Sequence, residues 1–380
     1  MTVDAAIETT RPAPPSVLPS LIGLERHELV DAVVALGEPE GKARMRAQQI
    51  WQWLYRRGAV DFEAMTTLPK DLRSRLAERF RLERPAIAAE QRSSDGTRKW
   101  LLRFPDGQEV ETVFIPEDDR GALCVSTQVG CTLTCAFCHT GTMPLVRNLK
   151  TEEILAQVMV ASDALGEWTR GGKPKQLTNI VVMGMGEPLF NYDATAKAMR
   201  IALDGEGIDL SRRRITVSTS GVVPRIEQCG RELGVGLAVS LHAVRDALRD
   251  ELVPLNRKWN IEQLLTACRT YPVRGKLITF EYVMLDGVND TDADAHELVR
   301  LLRDLPAKVN LIPFNPWPGS RFTCSPWPRI ERFAAILSEA GYASPVRTPR
   351  GRDILAACGQ LKTASERPAR VRRLADHAAA

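Results

Sequence analysis

Apolar residues recur along this chain in two rhythms, and the change from one to the other divides it. From about residue 21 to residue 80 they fall at helix spacing, as in Leu29, Val30, Ala32, Val33 and Val34, and again in Ile50, Trp51, Trp53, Leu54 and Tyr55. Gly58, after Arg56 and Arg57, is placed to cap one helix, and Pro69 before Lys70 to open another. Trp51, Trp53 and Tyr55 read as a core and staple cluster rather than a surface for stacking bases. From about 87 to 116 the rhythm becomes that of strands, 99–104 and 111–115, joined by a turn at Pro105, Asp106 and Gly107. This predicts a hairpin that feeds a larger domain.

Beyond Gly121, short apolar strands alternate with helical stretches. Strands are expected at 122–125, 179–183, 214–218, 236–241, 277–283 and 309–313. Helices are expected at 151–164, 193–204, 226–233, 261–271 and 292–305. Six strand–helix units with right-handed crossovers curl a parallel sheet toward a barrel, but fall short of the eight that close one. The predicted fold is therefore α/β, an open six-stranded partial TIM barrel with a small N-terminal helical domain. The expected division is a disordered tail at 1–20, the helical domain at 21–86, a hairpin linker at 87–116, the barrel at 117–357, and a loop with a basic tail at 358–380.

Composition narrows the class. With 44% hydrophobic and 26% charged residues, a sizeable core is expected, and no apolar run is long enough to span a membrane. The first residues carry Asp4 and Glu8 and lack a basic start before an apolar stretch, so they do not read as a secretory signal. Eight unevenly spaced cysteines do not make a secreted disulfide framework, so a reducing cytoplasm is expected; a monomer is expected as well. The net charge of +4 says little, but its distribution says more. Between Gly41 and Phe80 nine cations (Lys42, Arg44, Arg46, Arg56, Arg57, Lys70, Arg73, Arg75, Arg79) face four acids, and Arg367, Arg370, Arg372 and Arg373 follow near the C-terminus. Such clusters suit a phosphate backbone, and equally suit solvated helix faces.

The chemistry concentrates in Cys131, Cys135 and Cys138, spaced C-x3-C-x2-C with Phe137 before the last thiol. Soft thiolates select iron–sulfur clusters, zinc or copper. A structural zinc or a ferredoxin cluster takes four protein ligands, and no second pair stands at zinc-finger spacing; His139 is too close to Cys138 to share its metal face. Three thiolates on a cubane leave one iron open for a ligand that reacts there. In β/α barrels the site lies at the C-terminal strand ends, and polar motifs fall there in turn. After the cysteine loop come Gly184, Gly186 and Glu187, then Ser218 and Ser220, then Ser240, Leu241 and His242, then Asn315. Cys124 lies seven residues before Cys131 on the first strand of the barrel. Cys358 follows Arg350 and Arg352 in a stretch that reads as an exposed loop, where cations stabilise a thiolate. Cys229, Cys268 and Cys324 read as buried apolar thiols.

Taken together, these strings resemble the RlmN family of the radical S-adenosylmethionine (radical SAM) superfamily. The resemblance rests on ETVFIPEDDR from Glu111, LCVSTQVGC from Leu123, RNL from Arg147, GMGEPL from Gly184, STSGVVP from Ser218, SLHA from Ser240 and AACGQL from Ala356. It runs from about 21 to 361 and leaves both tails outside. It implies a radical SAM partial barrel and methylation of adenine C2 in 23S rRNA and tRNA. It implies a [4Fe-4S] cluster on Cys131, Cys135 and Cys138, and two SAM molecules per turnover held by Gly186, Glu187, Ser218, Ser240, Leu241, His242 and Asn315. Cys358 would take a methyl from one SAM. A radical cleaved from the second would take hydrogen from that methyl, and the carbon would join adenine C2. Glu111 would remove the C2 proton, and Cys124 would attack the Cys358 sulfur, leaving a disulfide for an electron donor to reduce.

Such chemistry has a physical reason. Adenine C2 is electron-poor and its hydrogen is not acidic, so ordinary methyl transfer has no acceptor there and a cofactor must supply radical chemistry. The base must also leave its stack, which favours looped RNA. Three other readings stay open at this point: a related family that methylates C8, a zinc-stabilised RNA-binding protein without catalysis, and a radical SAM enzyme acting on a small molecule.

Overall fold

The structure, a computed structural model, describes residues 18–169, 174–272 and 277–364. The expectations for the N-terminal lead-in before Leu18, and for Arg367, Arg370, Arg372 and Arg373, lie outside the described residues. Three helices open the chain: α1 (Arg26–Ala35), α2 (Glu40–Tyr55) and α3 (Lys70–Arg79). Along α2 the buried residues Ala43, Ala47, Ile50, Trp51, Leu54 and Tyr55 form one face. Trp51 and Tyr55 pack edge to face at 4.7 Å, and the Tyr55 hydroxyl accepts the Gly23 N–H at 2.9 Å. Both rings belong to the core. Trp53 is half-buried, with Arg57 over its ring at 4.3 Å.

Nine strands form a single sheet whose spatial order follows the chain: β1 (Ala86–Arg92), β2 (Arg98–Arg103), β3 (Glu109–Pro116), β4 (Gly121–Cys124), β5 (Asn179–Val182), β6 (Ile215–Thr219), β7 (Gly236–Ser240), β8 (Ile278–Met284) and β9 (Ala307–Pro313). From β4 to β9 every pairing is parallel, and these six strands form the open barrel. β8 is buried along its whole length, as expected of an inner strand of a parallel sheet. The expected strands at 99–104 and 111–115 are β2 and β3. They belong to a three-stranded antiparallel meander, and β3 pairs with β4 through Val113 opposite Cys124. The added strand, β1, is exposed throughout, so it has no alternation to betray it.

The crossover helices are α4 (Thr151–Leu165), α5 (Tyr192–Leu203), α6 (Val223–Leu233), α8 (Ile261–Arg269) and α9 (Asp292–Leu301). Two helices were not expected. The first, α7 (Asp246–Leu252), is short and mostly charged; the second, α10 (Trp327–Glu339), follows a proline-rich stretch. The helical module docks on α5 and the turn after it. Arg26 pairs with Asp204 at 2.6 Å, Lys197 with Glu28 at 2.6 Å and Arg200 with Glu25 at 2.7 Å. Gly207 permits the approach, since a Cβ there would stand 2.9 Å from the Trp51 Nε1. Beyond α10 the chain returns along β9, where Val309 and Leu311 donate to the carbonyls of Ala343 and Pro345. From there residues 350–363 cross the barrel mouth to the meander.

Candidate functional site

The loop after β4 turns three thiols into one cavity at the C-terminal ends of the parallel strands: Cys131, Cys135 and Cys138 all lie on its wall. The loop is bonded within itself, with Cys138 N–H donating to the Cys135 carbonyl at 3.1 Å, and fastened to the end of α7, where Ala136 N–H donates to the Leu252 carbonyl at 3.0 Å. Burial pushes the Cys131 thiol up to about 12 and raises Cys135 and Cys138, and the charge of a neighbouring cysteine raises each of the three further. Their thiolates therefore call for a cationic metal group to hold them together. Among the described residues no three His, Cys, Asp or Glu side chains gather around a point that would hold one metal ion. Three soft thiolates on one wall suit an iron–sulfur cluster in which each takes a different iron. His139 turns away from the thiols. Its ring stacks on Trp317 at 4.7 Å, and its Nδ1 lies 3.2 Å from the Gln360 carbonyl.

The expected ligand residues Gly186, Glu187, Ser218, Ser240, His242 and Asn315 line the same cavity. Gly186 has φ +98, and a Cβ there would meet the Gln128 side chain at 2.5 Å, so only glycine lets the turn close. Glu187 is 2% exposed. Its carboxylate accepts the N–H groups of Leu189 at 3.1 Å and Ser220 at 2.8 Å, yet burial outweighs these bonds and pushes it up to about 7. A buried carboxylate in that state is a ready seat for an ammonium group. His242 adopts φ +60, and its Nδ1 accepts the Val283 N–H at 3.1 Å. Burial, with Arg249 nearby, pushes it down to about 3, so the ring stays neutral. Leu241 is different. Its side chain is in the core, its N–H donates to Glu281, and its carbonyl accepts from Arg249.

Arg249 had no signal in the sequence, and it organises the floor of the site. Only 1% exposed, it donates to the carbonyls of Leu241 at 3.0 Å, Ser220 at 2.7 Å and Ser240 at 3.1 Å, and to the Asn256 side chain at 2.9 Å. It thereby ties together the ends of β6 and β7. Replacing it with Met should leave these acceptors buried and unpaired, at a cost of about 3–5 kcal/mol. Urea denaturation of variant and parent, prepared identically, measures this; a loss under about 1 kcal/mol would mean the acceptors find other donors.

Cys358 is exposed, on the loop that crosses the mouth, and lies between this cavity and a second one that Cys124 also lines. The cation beside it is neither Arg350 nor Arg352. Arg350 donates to the carbonyls of Asp95 and Pro116, and Arg352 donates to Asn315. Instead Arg347, brought in by the pairing along β9, places Nη1 3.5 Å from the Cys358 sulfur. Burial pushes the Cys124 thiol up to about 12, with the charge of Cys358 adding to it and Arg347 opposing. The loop is fastened on two further sides. His139 N–H donates to Gly359 at 2.7 Å and the Thr140 hydroxyl to Leu361 at 2.6 Å, while Asn315 donates to Cys358 at 3.3 Å and Gln360 to Pro316 at 2.7 Å.

Glu111 stands beneath that loop on β3, not on the wall of the main cavity. It pairs with Lys99 at 2.8 Å and accepts the Lys362 N–H at 2.9 Å. Of the remaining cysteines, Cys229 and Cys268 are buried as expected; Cys324 is only half-buried, because it lies in the irregular stretch after β9, bridged to Leu285.

Comparison with known proteins places the chain. A family model described as the N-terminal domain of a ribosomal RNA large subunit methyltransferase matches residues 20–82, and the radical SAM superfamily model matches 125–301. The dual-specificity RNA methyltransferase RlmN of Methylorubrum extorquens (strain PA1) is 62% identical over 365 residues, covering 92% of this chain and 86% of the relative. The chain belongs to the RlmN family. A second RlmN, from Paracoccus denitrificans (strain Pd 1222), is 62% identical over 354 residues and covers 92% of this chain and 90% of its own length. Among solved structures, a radical SAM methyltransferase from Sphaerobacter thermophilus superimposes with a TM-score of 0.84 at 50% identity, covering 90% of this chain and 99% of that one. As an RlmN-family protein this is a radical SAM enzyme and an RNA methyltransferase, so the zinc-protein and small-molecule readings give way. Among the described residues no helix is long and apolar enough to cross a membrane.

Proposed function

We propose that the protein methylates C2 of an adenine in 23S rRNA and in tRNA, carrying the methyl group on Cys358 and resolving the product with Cys124. The observation that carries this reading is the position of these two thiols, which share one cavity and sit beside the loop of Cys131, Cys135 and Cys138. When bound, a [4Fe-4S] cluster and SAM supply one-electron cleavage and a hydrogen-abstracting radical, with two SAM molecules used per turnover. Cys131, Cys135 and Cys138 would hold the cluster. Glu187 would take the ammonium group of SAM, with Gly186, Ser218, Ser240, His242 and Asn315 around it.

Cys358, with the Arg347 guanidinium 3.5 Å from its sulfur, accepts the first methyl as a nucleophile. Glu111 accepts the C2 proton at its carboxylate. Cys124 then attacks the Cys358 sulfur, releases the methylated RNA and leaves a disulfide, which an electron donor reduces in a cytoplasmic setting. The protein would act as a monomer. The helical module at 21–86 would grip RNA. Arg46, Arg73 and Arg75 are spent on ion pairs, whereas Lys42, Arg44, Arg56, Arg57, Lys70 and Arg79 stay exposed and outside any ion pair among the described residues. Six exposed cations outside ion pairs on a small module suit phosphates.

Mass spectrometry of rRNA and tRNA from cells lacking the protein tests the reading. Loss of 2-methyladenosine from both RNAs is expected. Loss of 8-methyladenosine instead would move the chemistry to C8, and loss from rRNA alone would remove tRNA as a substrate.

A further inference from the structure

Lys99 is a buried lysine with two partners, and both bear on the loop that carries Cys358. The antiparallel register sets Leu101 opposite Glu111 and Lys99 opposite Val113, so Lys99 and Glu111 are diagonal neighbours on one face of the meander. Both side chains are 8% exposed, and Lys99 Nζ lies 2.8 Å from a Glu111 carboxylate oxygen. The same ammonium donates to the Leu355 carbonyl at 3.2 Å, while the other Glu111 oxygen accepts the Lys362 N–H at 2.9 Å. The ion pair therefore clasps the loop at residues 355 and 362, one on each side of Cys358. A buried ion pair adds little stability over a well-packed apolar pair of similar size, so stability alone does not account for charge at this place.

We propose that Lys99 is a positioning residue for the methyl transfer: it holds the Glu111 carboxylate in place and fastens the stem of the Cys358 loop to the meander. This rests on reading Glu111 as the proton acceptor and Cys358 as the carrier. The surroundings of Glu111 leave this task to Lys99. The charged side chain facing the carboxylate is Lys99, from β2; Lys362 approaches from the C-terminal segment through its N–H, and Met185 and Ser126 meet only the Glu111 backbone, at N–H and carbonyl. Burial raises the Glu111 carboxyl and Lys99 opposes it. Without Lys99, burial acts with less opposition, so the carboxyl keeps its proton to higher pH and the base is lost from the acid side first.

The test uses cluster-loaded enzyme with Cys358 already methylated, and follows single-turnover methylation of RNA against pH. Lys99→Gln keeps a hydrogen-bonding side chain but no charge, and Lys99→Met removes both. In each, the acidic limb of the profile should move up by about one to three pH units. Lys99→Arg should restore the parental limb. Iron content and RNA-independent SAM cleavage should match the parent in every variant, which separates this effect from damage to the cluster site. A parental limb in Lys99→Gln overturns the proposal, and because that variant keeps a hydrogen-bond donor while losing only the charge, it decides the matter even if Lys99→Met does not fold. Glu111→Gln, run in parallel, should abolish methylation. If it methylates at the parental rate, the reading of Glu111 as base falls and this proposal falls with it; if it is inactive while Lys99→Gln is parental, only the role of Lys99 is refuted.

Discussion

The Cys124→Ala protein is expected to stop with RNA covalently attached, and the Cys358→Ala protein to carry none. The two thiols look alike in composition, but the structure gives them different surroundings. Cys358 is exposed on a loop, with the Arg347 guanidinium 3.5 Å from its sulfur, as suits a nucleophile. Cys124 is part of β4, and burial pushes its thiol up to about 12, as suits a group that acts only once an attackable sulfur is held before it. Without Cys358 no methyl is accepted, so neither S-methylcysteine nor an adduct should form. Without Cys124 the carrier, the cluster loop and Glu111 remain, so the reaction should run to the joined state and stall. The stalled species should appear on a denaturing gel as a nuclease-sensitive band above the free enzyme. Cys268→Ala, a change in the core, is the control and should match the parent. Normal turnover by Cys124→Ala, or no difference between either variant and that control, would remove the two-thiol mechanism.

Replacing Cys135 with Ala should strip the protein of iron and end all SAM cleavage. Cys135 lies between the other two ligands, and the charges of both act on it. Two thiolates cannot hold a cubane corner that three hold. Anaerobically purified Cys135→Ala should be colourless, with bound iron near background and no 5′-deoxyadenosine formed from SAM. Cys131→Ala and Cys138→Ala should behave alike. Full iron and parental SAM cleavage in Cys135→Ala would end the assignment of these three cysteines to the cluster.

The parallel strands were legible because each is a short, mostly apolar run bounded by turn residues, and β4 to β9 all lie where the alternation put them. The cysteine loop was legible because its spacing is local. Contacts that depend on distant pieces of chain were not. Arg347 comes beside Cys358 only because residues 343–347 pair along β9, whereas Arg350 and Arg352, nearer in sequence, turn to other partners. Leu241 sits within a polar strand-end motif, yet its side chain joins the core, because alternation along a strand end sends neighbours to opposite sides. Arg249 and Lys99 carry no signal in the sequence, since no rule of sequence says that one will sit beneath two strand ends and the other beneath a loop more than 250 residues away.

The crossing of residues 350–363 over the barrel mouth bears on how the molecule is assembled. Among the described residues, everything that grips this stretch from outside, from Ser93 and Asp95 to Asn315 and Pro316, precedes it in the chain. Chains fold from the N-terminal side as they emerge from the ribosome. The meander, the barrel and the cysteine loop can therefore be in place while the chamber still lies open, with a wide path for iron and sulfide to reach the three thiols. The segment that bears Cys358 is made afterwards and settles over the mouth, so the order of synthesis leaves an interval in which the chamber is open.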